Sequence, residues 1–480
     1  MTSQVLIAGA GPTGLTLAID LARRGVDVRI VERATEFFAG SRGDGIQPRT
    51  LEVFEDLGVL DAIHAAGIPV PLTRIFLDGN PVGERRMSEV REPTPAVPYP
   101  NPWMLGQSDT EAVLRARLAD FGVRVELSTA LATFTQDADG VTAVLEGPGG
   151  SETVRADYLV GADGGRSTVR KTLGIAFEGT TDESIRMLLG DVPVQALDLD
   201  YGYWFAAAQE PMNGIALTPL AGRNLFQFAA PLAQDAEPTR AVLQDALDRV
   251  SGRTDLIVGE PEWSTVWRPN IRLAQRFRDG RVFLAGDAAH AHPPTGGQGL
   301  NTGVQDGYNL GWKLAAALDG DATAPDTYES ERRAVAAQVL GLSSALLDKH
   351  ISGTEDAMDR GEDTHQLDIT YRATNATGRL VAGDRAPDAP LRRADGSTVR
   401  LFELFRGPHA TLLDFGDETD SAAAPTDPET RTYSLVGPDT TPRDGHLVAI
   451  GSHAFTEYAA DTGTRVLIRP DGYLAWRNDK

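Results

Sequence analysis

The chain contains no cysteine in 480 residues. Disulfides, thiolate nucleophiles, zinc–thiolate sites and haem thiolates are therefore excluded. Positive charge is also scarce: 45 Lys and Arg stand against 68 Asp and Glu, a net charge of −23. Binding nucleic acid needs a basic footprint, and this balance denies one. The acidity is dispersed and serves solubility. Of the eight histidines only His290 and His292 lie close together, and that spacing beside prolines makes no metal-ligand set on one helix face. No run is long and apolar enough for a membrane span. The apolar N-terminus has no basic leader and is broken by Gly9, Gly11, Pro12 and Gly14. It reads as strand, turn and helix rather than as a signal peptide, and a cytoplasmic location is expected.

What the chain does have is a sequence of glycine turns placed after apolar strands. At this length two or three domains are expected. Val5–Ala8 is a short apolar run suited to a buried parallel strand. Gly9-Ala10-Gly11-Pro12-Thr13-Gly14 follows, then Leu15, Ala18, Ile19 and Ala22 at helical spacing, then a second strand ending at Glu32. Gly9 permits the tight turn, Gly11 lets backbone approach a pyrophosphate, and Gly14 lets helix and strand pack. The helix start offers free N–H groups to phosphate, and Glu32 is placed to accept from ribose hydroxyls. FAD and NAD remain undistinguished at this point.

Three further segments bear on that choice. Asp157–Val160 runs into Gly161-Ala162-Asp163-Gly164-Gly165-Arg166. Val282–Ala285 runs into Gly286-Asp287-Ala288-Ala289-His290, then Pro293-Pro294-Thr295-Gly296-Gly297-Gln298-Gly299-Leu300-Asn301. A helix should begin near Gly299, with Gly303 and Gly307 permitting close approach and its positive end facing whatever lies over the loop. Ser41-Arg42-Gly43-Asp44-Gly45 and Leu105-Gly106-Gln107-Ser108 complete the set. In this order the segments resemble the FAD-binding signature of class A single-component FAD-dependent aromatic hydroxylases, the para-hydroxybenzoate and phenol hydroxylase superfamily of aromatic polyketide type.

The resemblance implies an α/β fold: a Rossmann-like FAD-binding domain, an inserted mixed-sheet substrate domain of α+β character, and a C-terminal thioredoxin-like domain. It implies non-covalent FAD held by Gly9, Gly11, Pro12, Thr13, Gly14, Glu32, Arg33, Arg42, Gln107, Asp163, Gly286, Asp287, Pro294, Gly297, Gly299, Leu300 and Asn301. Among these Asp287 would bond the ribityl chain, and the Arg42 loop would lie along the flavin. Pro293, Gly296 and Gly297 would wall the side where oxygen reacts. The implied activity uses transient NADPH or NADH and O2 to hydroxylate a phenolic or polyketide-derived ring through a flavin C(4a)-hydroperoxide.

Because the flavin carries that chemistry, no nucleophile or acid–base pair is expected. His290, His292 and Asp44 sit close to the signature, with a structural role the commoner outcome for such residues. There is one dinucleotide fingerprint, and the dithiol of a two-site disulfide reductase is absent. Trp263 and Trp267 depart from the halogenase tryptophan spacing. Baeyer–Villiger oxygenation on the same scaffold, or a flavin-binding protein without turnover, are the alternatives.

Tyr201–Phe205 and Leu225–Phe228 alternate like strands. Tyr203, Phe205, Phe226 and Phe228, with Pro293, are the expected substrate contacts. The expected division is 1–72, 101–175 and 273–347 for the cofactor domain, and 73–100 and 176–272 for the substrate sheet. A helical or linker connection at 348–383 and a cysteine-free domain at 384–480 complete it. Asp417–Arg431 should be a surface loop, and a homodimer is possible on this architecture.

Overall fold

The computed structural model describes residues 2–233, 235–293, 296–354, 356–416, 430–441 and 443–479. Pro294 and most of the expected 417–431 loop lie outside them. The chain divides into two compact units, Met1–Thr50 with Asp61–Val90 and Pro102–Thr364, and Leu51–Leu60 with Arg91–Asn101 and His365–Lys480. Residues 91–100, grouped with the substrate sheet by sequence, thus belong to the second unit. Among the described residues, no helix is long and apolar enough to cross a membrane.

The first unit is built on two large sheets. One has four parallel strands in the order Val282–Leu284, Gly150–Gly161, Thr2–Ala8, Val28–Val31. Val5, Leu6, Ile7, Leu159, Val160 and Phe283 are fully buried, as expected of strands covered on both faces. Ala8 pairs with both Gly161 and Val31, and Gly161 pairs with Leu284, so the carboxyl ends of all four strands are level. The helix Pro12–Ala22 packs along the 21-residue helix Gln298–Leu318, where Gly303 and Gly307 face Thr13 and Leu17. That second helix begins one residue before Gly299. The next helix, Asp326–Ser352, runs past the domain boundary expected at 347.

The other large sheet runs Trp263–Trp267, Met187–Val192, Phe226–Pro231, Ile215–Pro219, Tyr201–Ala206, Leu72–Leu77, Asn80–Arg85. One face is closed by the helix Arg240–Ser251, which starts at a Thr239 cap and stops at Gly252 in the left-handed region. Its Leu243, Ala246 and Leu247 recur at helical spacing and meet Leu188, Val192, Tyr203, Phe205, Phe226 and Phe228 in one core. Burying each such side chain contributes roughly 1.5–3 kcal/mol, which locks the strand phase.

The second unit carries a sheet in which Arg431–Val436 pairs in parallel with Thr411–Phe415. The latter pairs antiparallel with Thr464–Ile468, itself hairpinned to Leu474–Asn478. A parallel pair next to an antiparallel hairpin is the arrangement expected of the thioredoxin-like domain. Where a redox dithiol would give such a domain chemistry, this one has an apolar core around Phe415, Leu435 and Tyr458. The Tyr458 hydroxyl donates to Pro387 O at 2.8 Å.

Candidate cofactor and substrate site

Each glycine-rich segment leaves the carboxyl end of the parallel sheet, where open α/β sheets bind ligands. Gly9 takes φ +104°, and a Cβ there would lie 2.2 Å from Ala162 O, so the first turn and the Asp163 turn touch backbone to backbone. Gly11 caps the helix Pro12–Ala22 without any side-chain cap, and a Cβ on it would meet nothing within 4 Å. Open space in front of uncapped N–H groups is what a pyrophosphate requires. Glu32 reaches the same turn: its carboxylate accepts from Ala10 N at 3.1 Å and from Ala34 N at 3.0 Å. Arg33 beside it is exposed.

On the neighbouring strand Asp163 Oδ2 accepts from Thr168 N at 2.6 Å and Val169 N at 3.2 Å. Its Oδ1 is buried with no partner in the protein. Asp287 stands one strand further along, in the turn Gly286–Ala288. Its surface is open, yet protein surrounds it closely enough that burial raises its carboxyl above the usual range. A residue both accessible and enclosed lines an internal cleft. Arg42 is near enough to oppose that rise at Asp287, and to do the same at Glu111. Gln107 donates to Glu111 at 2.8 Å, and burial pushes Glu111 up to about 7.

The helix Gln298–Leu318 points its N-terminus at the same region. Its cap, Gly297, is left-handed and supplies no side-chain bond. Asn301 is fully buried and ties this end to the Arg42 loop. Its amide nitrogen donates to Gly45 O at 2.8 Å and Gly297 O at 2.7 Å, and its oxygen accepts from Gln47 N at 2.8 Å. Gln47 also donates to Gly296 O at 3.3 Å and leaves Oε1 buried without a partner. Pro293 is buried, Gly296 half-buried and Gly297 exposed, with Gly299 and Leu300 half-buried at the helix start.

Behind this loop lies a chain of polar side chains that runs into the core. His292 Nε2 meets His290 Nδ1 at 2.8 Å, and His290 Nε2 meets Asp306 Oδ2 at 2.6 Å. Asp306 also accepts from Gly286 N at 2.9 Å and from Arg332 Nε at 2.7 Å. Burial alone would raise the Asp306 carboxyl, but His290 and Arg332 bring it down to about 2. Burial drives the His292 imidazole well below its usual value, with His290 adding to the effect. Asp44 is raised to about 6 by burial, against a hydrogen bond from its own backbone N–H. Among the described residues no three His, Asp or Glu gather as a metal site.

The four aromatic residues expected to touch substrate are placed elsewhere. Tyr203 is 4 %, Phe205 0 %, Phe226 1 % and Phe228 0 % exposed, all in the core under the helix Arg240–Ser251. Aromatic bulk sought burial, so the face left open is the alternate one. Across it runs a row of direct cross-strand partners: Trp204 with Ala216, Ala216 with Ala229, Ala229 with Leu189, Leu189 with Thr265. Ala216, Ala229, Leu189 and Thr265 are all half-buried. This is the face whose Gln227 donates to Ser41 O at 2.7 Å, so it looks toward the Arg42 loop.

Sequence reasoning missed Gln47, Glu111, Asp191, Asp306 and Arg332. The signal for Asp191 was a carboxylate inside the apolar strand Met187–Val192. Asp306 and Arg332 gave none, since each looks like an ordinary polar helix position.

An uncapped helix start facing open space, a carboxylate at the end of the second strand, orphaned Asp163 Oδ1 and enclosed but accessible Asp287 together fit a flavin dinucleotide. A chain with this fold and cleft is an FAD-binding oxidoreductase. Residues 2–343 match the FAD binding domain family and residues 380–480 the C-terminal domain of aromatic-ring hydroxylases, so the chain belongs to the FAD-dependent aromatic-ring hydroxylases. It is 42% identical over 98% of its length to a flavin-dependent monooxygenase of Mycobacteroides abscessus, covering 96% of that protein. It is 33% identical over 99% of its length to the rifampicin monooxygenase of Rhodococcus hoagii, covering 95% of it. Aklavinone-11 hydroxylase, solved with FAD and aklavinone, superposes with a TM-score of 0.83 at 29% identity, covering 100% of this chain and 96% of that one. The protein is accordingly a flavin-dependent monooxygenase, with FAD as cofactor and NAD(P)H as the reductant usual in its family.

Proposed function

We propose that this monooxygenase adds a hydroxyl group to a phenolic or polyketide-derived aromatic compound, in the cytoplasm and as a homodimer. The observation that carries the substrate class is the half-buried row Ala216, Ala229, Leu189, Thr265, which continues from the buried Trp204. Two alanines at its centre leave a shallow apolar strip flanked by larger side chains. A planar ring system fits such a strip, whereas a compact polar substrate would leave it wet. The relatives named for rifampicin and aklavinone support an extended ring system of this kind.

When bound, reduced flavin supplies the oxygen activation and the oxygen transfer. The chain's own residues bind, orient and exclude water. In this reading Glu32, Arg42, Gln107, Asp163 and Asp287 hold the cofactor. Asn301 keeps the Arg42 loop against the helix start, and the N–H groups following Gly297 favour negative charge in front of them. Pro293, Gly296 and Gly297 wall the side where oxygen reacts, and the sheet face roofs the ring.

A panel of mono- and polycyclic phenols, assayed for stimulated NADPH oxidation with mass spectrometry of products, tests this. A product heavier by one oxygen and carrying a new ring hydroxyl is expected. An oxygen inserted into the ring, or NADPH oxidation that no aromatic compound accelerates, would overturn it.

A further inference from the structure

The Arg42 loop is held from the substrate side as well as from the cofactor side. Trp263 is the cross-strand partner of Asp191, and Asp191 is the partner of Gln227, so the three form one row on the open face of the sheet. Trp263 meets the loop at Phe38 and Gly40, and Gln227 and Asp191 meet it at the next residue, Ser41. Gly40 lies flat on the Trp263 indole: a Cβ there would stand 2.6 Å from the ring. Phe38 closes on the same indole edge-on, with centroids 5.6 Å apart and planes at 86°. Gln227 Nε2 donates to Ser41 O at 2.7 Å. Burial pushes the Asp191 carboxyl up to about 6, and the N–H and hydroxyl of Ser41 oppose that rise, although Asp191 Oδ1 itself is buried without a formed hydrogen bond. Arg42, the next residue, is exposed and stacks over Phe38 at 4.8 Å.

We propose that Trp263, Asp191 and Gln227 are positioning residues that clamp Gly40 and Ser41 and thereby set the Arg42–Gly43 segment beside FAD. The clamp grips backbone and a glycine, so it fixes where the loop runs without using the loop's charged side chain. Its row lies directly beside the strip of Ala229 and Leu189, two residues along each strand on the same face. A ring seated on that strip therefore presses on the sheet that holds the loop, which gives substrate a route to the cofactor's surroundings. The inference rests on the assignment of the Arg42 loop to the flavin side, and not on which ring is hydroxylated.

The test uses FAD-loaded enzyme and three variants, Gln227→Leu, Asp191→Asn and Gly40→Ala. Gly40→Ala leaves the sheet itself untouched and so keeps the test valid if a sheet variant fails to fold. Melting temperature and FAD occupancy are recorded for each variant, and two further readouts are compared on the FAD-loaded fraction. One is the rate at which trypsin cuts after Arg42, followed by mass spectrometry. The other is iodide quenching of the bound flavin's fluorescence. Cutting should rise about tenfold, the change expected when a local opening loses one hydrogen bond, and iodide access should rise with it. A merely structural role would lower melting temperature and FAD occupancy together and leave iodide access to the remaining flavin unchanged. Unchanged cutting in all three variants would overturn the clamp. Faster cutting with unchanged iodide access would show that the loop is not at the flavin, and would overturn the proposal by that route.

Discussion

Asp306 accepts Arg332 Nε at 2.7 Å with both side chains fully buried, and the same carboxylate holds Gly286 N and His290. One carboxylate thus fixes the Asp287 turn to two helices. Removing it strands the Arg332 charge away from water, and breaking a buried pair in this way costs about 3–5 kcal/mol. Asp306→Asn should lose stability on that scale in urea unfolding at neutral pH. The folded carboxyl lies below its unfolded value, so its contribution is present above about pH 4 and fades as pH falls toward about 2. The gap between wild type and Asp306→Asn should close over that interval.

Glu111 behaves in the opposite sense. Burial raises it to about 7, so the folded state holds a proton that the unfolded state has already released. Stability from this group is therefore lost as pH rises from its unfolded value to about 7, and the loss is complete above that. Glu111→Gln removes the titration. Urea unfolding of the FAD-free protein should show the variant gaining on wild type between about pH 4.5 and 7 and running parallel above.

Asp287 lines the cleft without bracing it, since its surface is open. Asp287→Ala should release FAD on gel filtration while the unfolding free energy of the FAD-free protein changes by little more than a surface substitution allows, about 0.5 kcal/mol. Full FAD occupancy in this variant would remove Asp287 from the cofactor site.

Phe228 and Ala229 are neighbours that face opposite sides of the sheet, and they separate packing from recognition. Phe228→Ala opens a cavity under the helix Arg240–Ser251 and should cost about 3–5 kcal/mol, read by thermal unfolding. Ala229→Phe fills the open strip and should leave unfolding nearly unchanged. It should raise KM for the best phenol of the panel by about tenfold or more, with a smaller change in kcat.

The cofactor half was largely legible in the linear chain. Gly9 to Gly14, Glu32, Asp163 and Asp287 each follow an apolar strand directly, and level parallel strands bring such residues to one edge. Local order therefore became spatial order with no further information. The Arg42 loop was recognisable as a segment, but its bonds to Asn301 and Gln227 span 256 and 186 residues of chain and leave no periodic trace. The tail was readable in its strands, whereas the attachment of Arg91–Asn101 to the second unit depends on contacts with residues such as Asp388 and Arg400.

Residue order alone determined that this is an α/β flavoprotein without thiol chemistry, because glycine turns after buried strands and a zero cysteine count are properties of the chain. Only the tertiary structure decided which side of the substrate sheet is open. Period-two alternation marks two faces but does not say which one a helix will cover. Leu243 and Leu247 of the helix Arg240–Ser251 took the aromatic face, because burying Phe205, Phe226 and Phe228 releases more apolar surface from water than burying Ala216 and Ala229. The residues that looked made for substrate became the core, and the small residues between them became the surface that meets it.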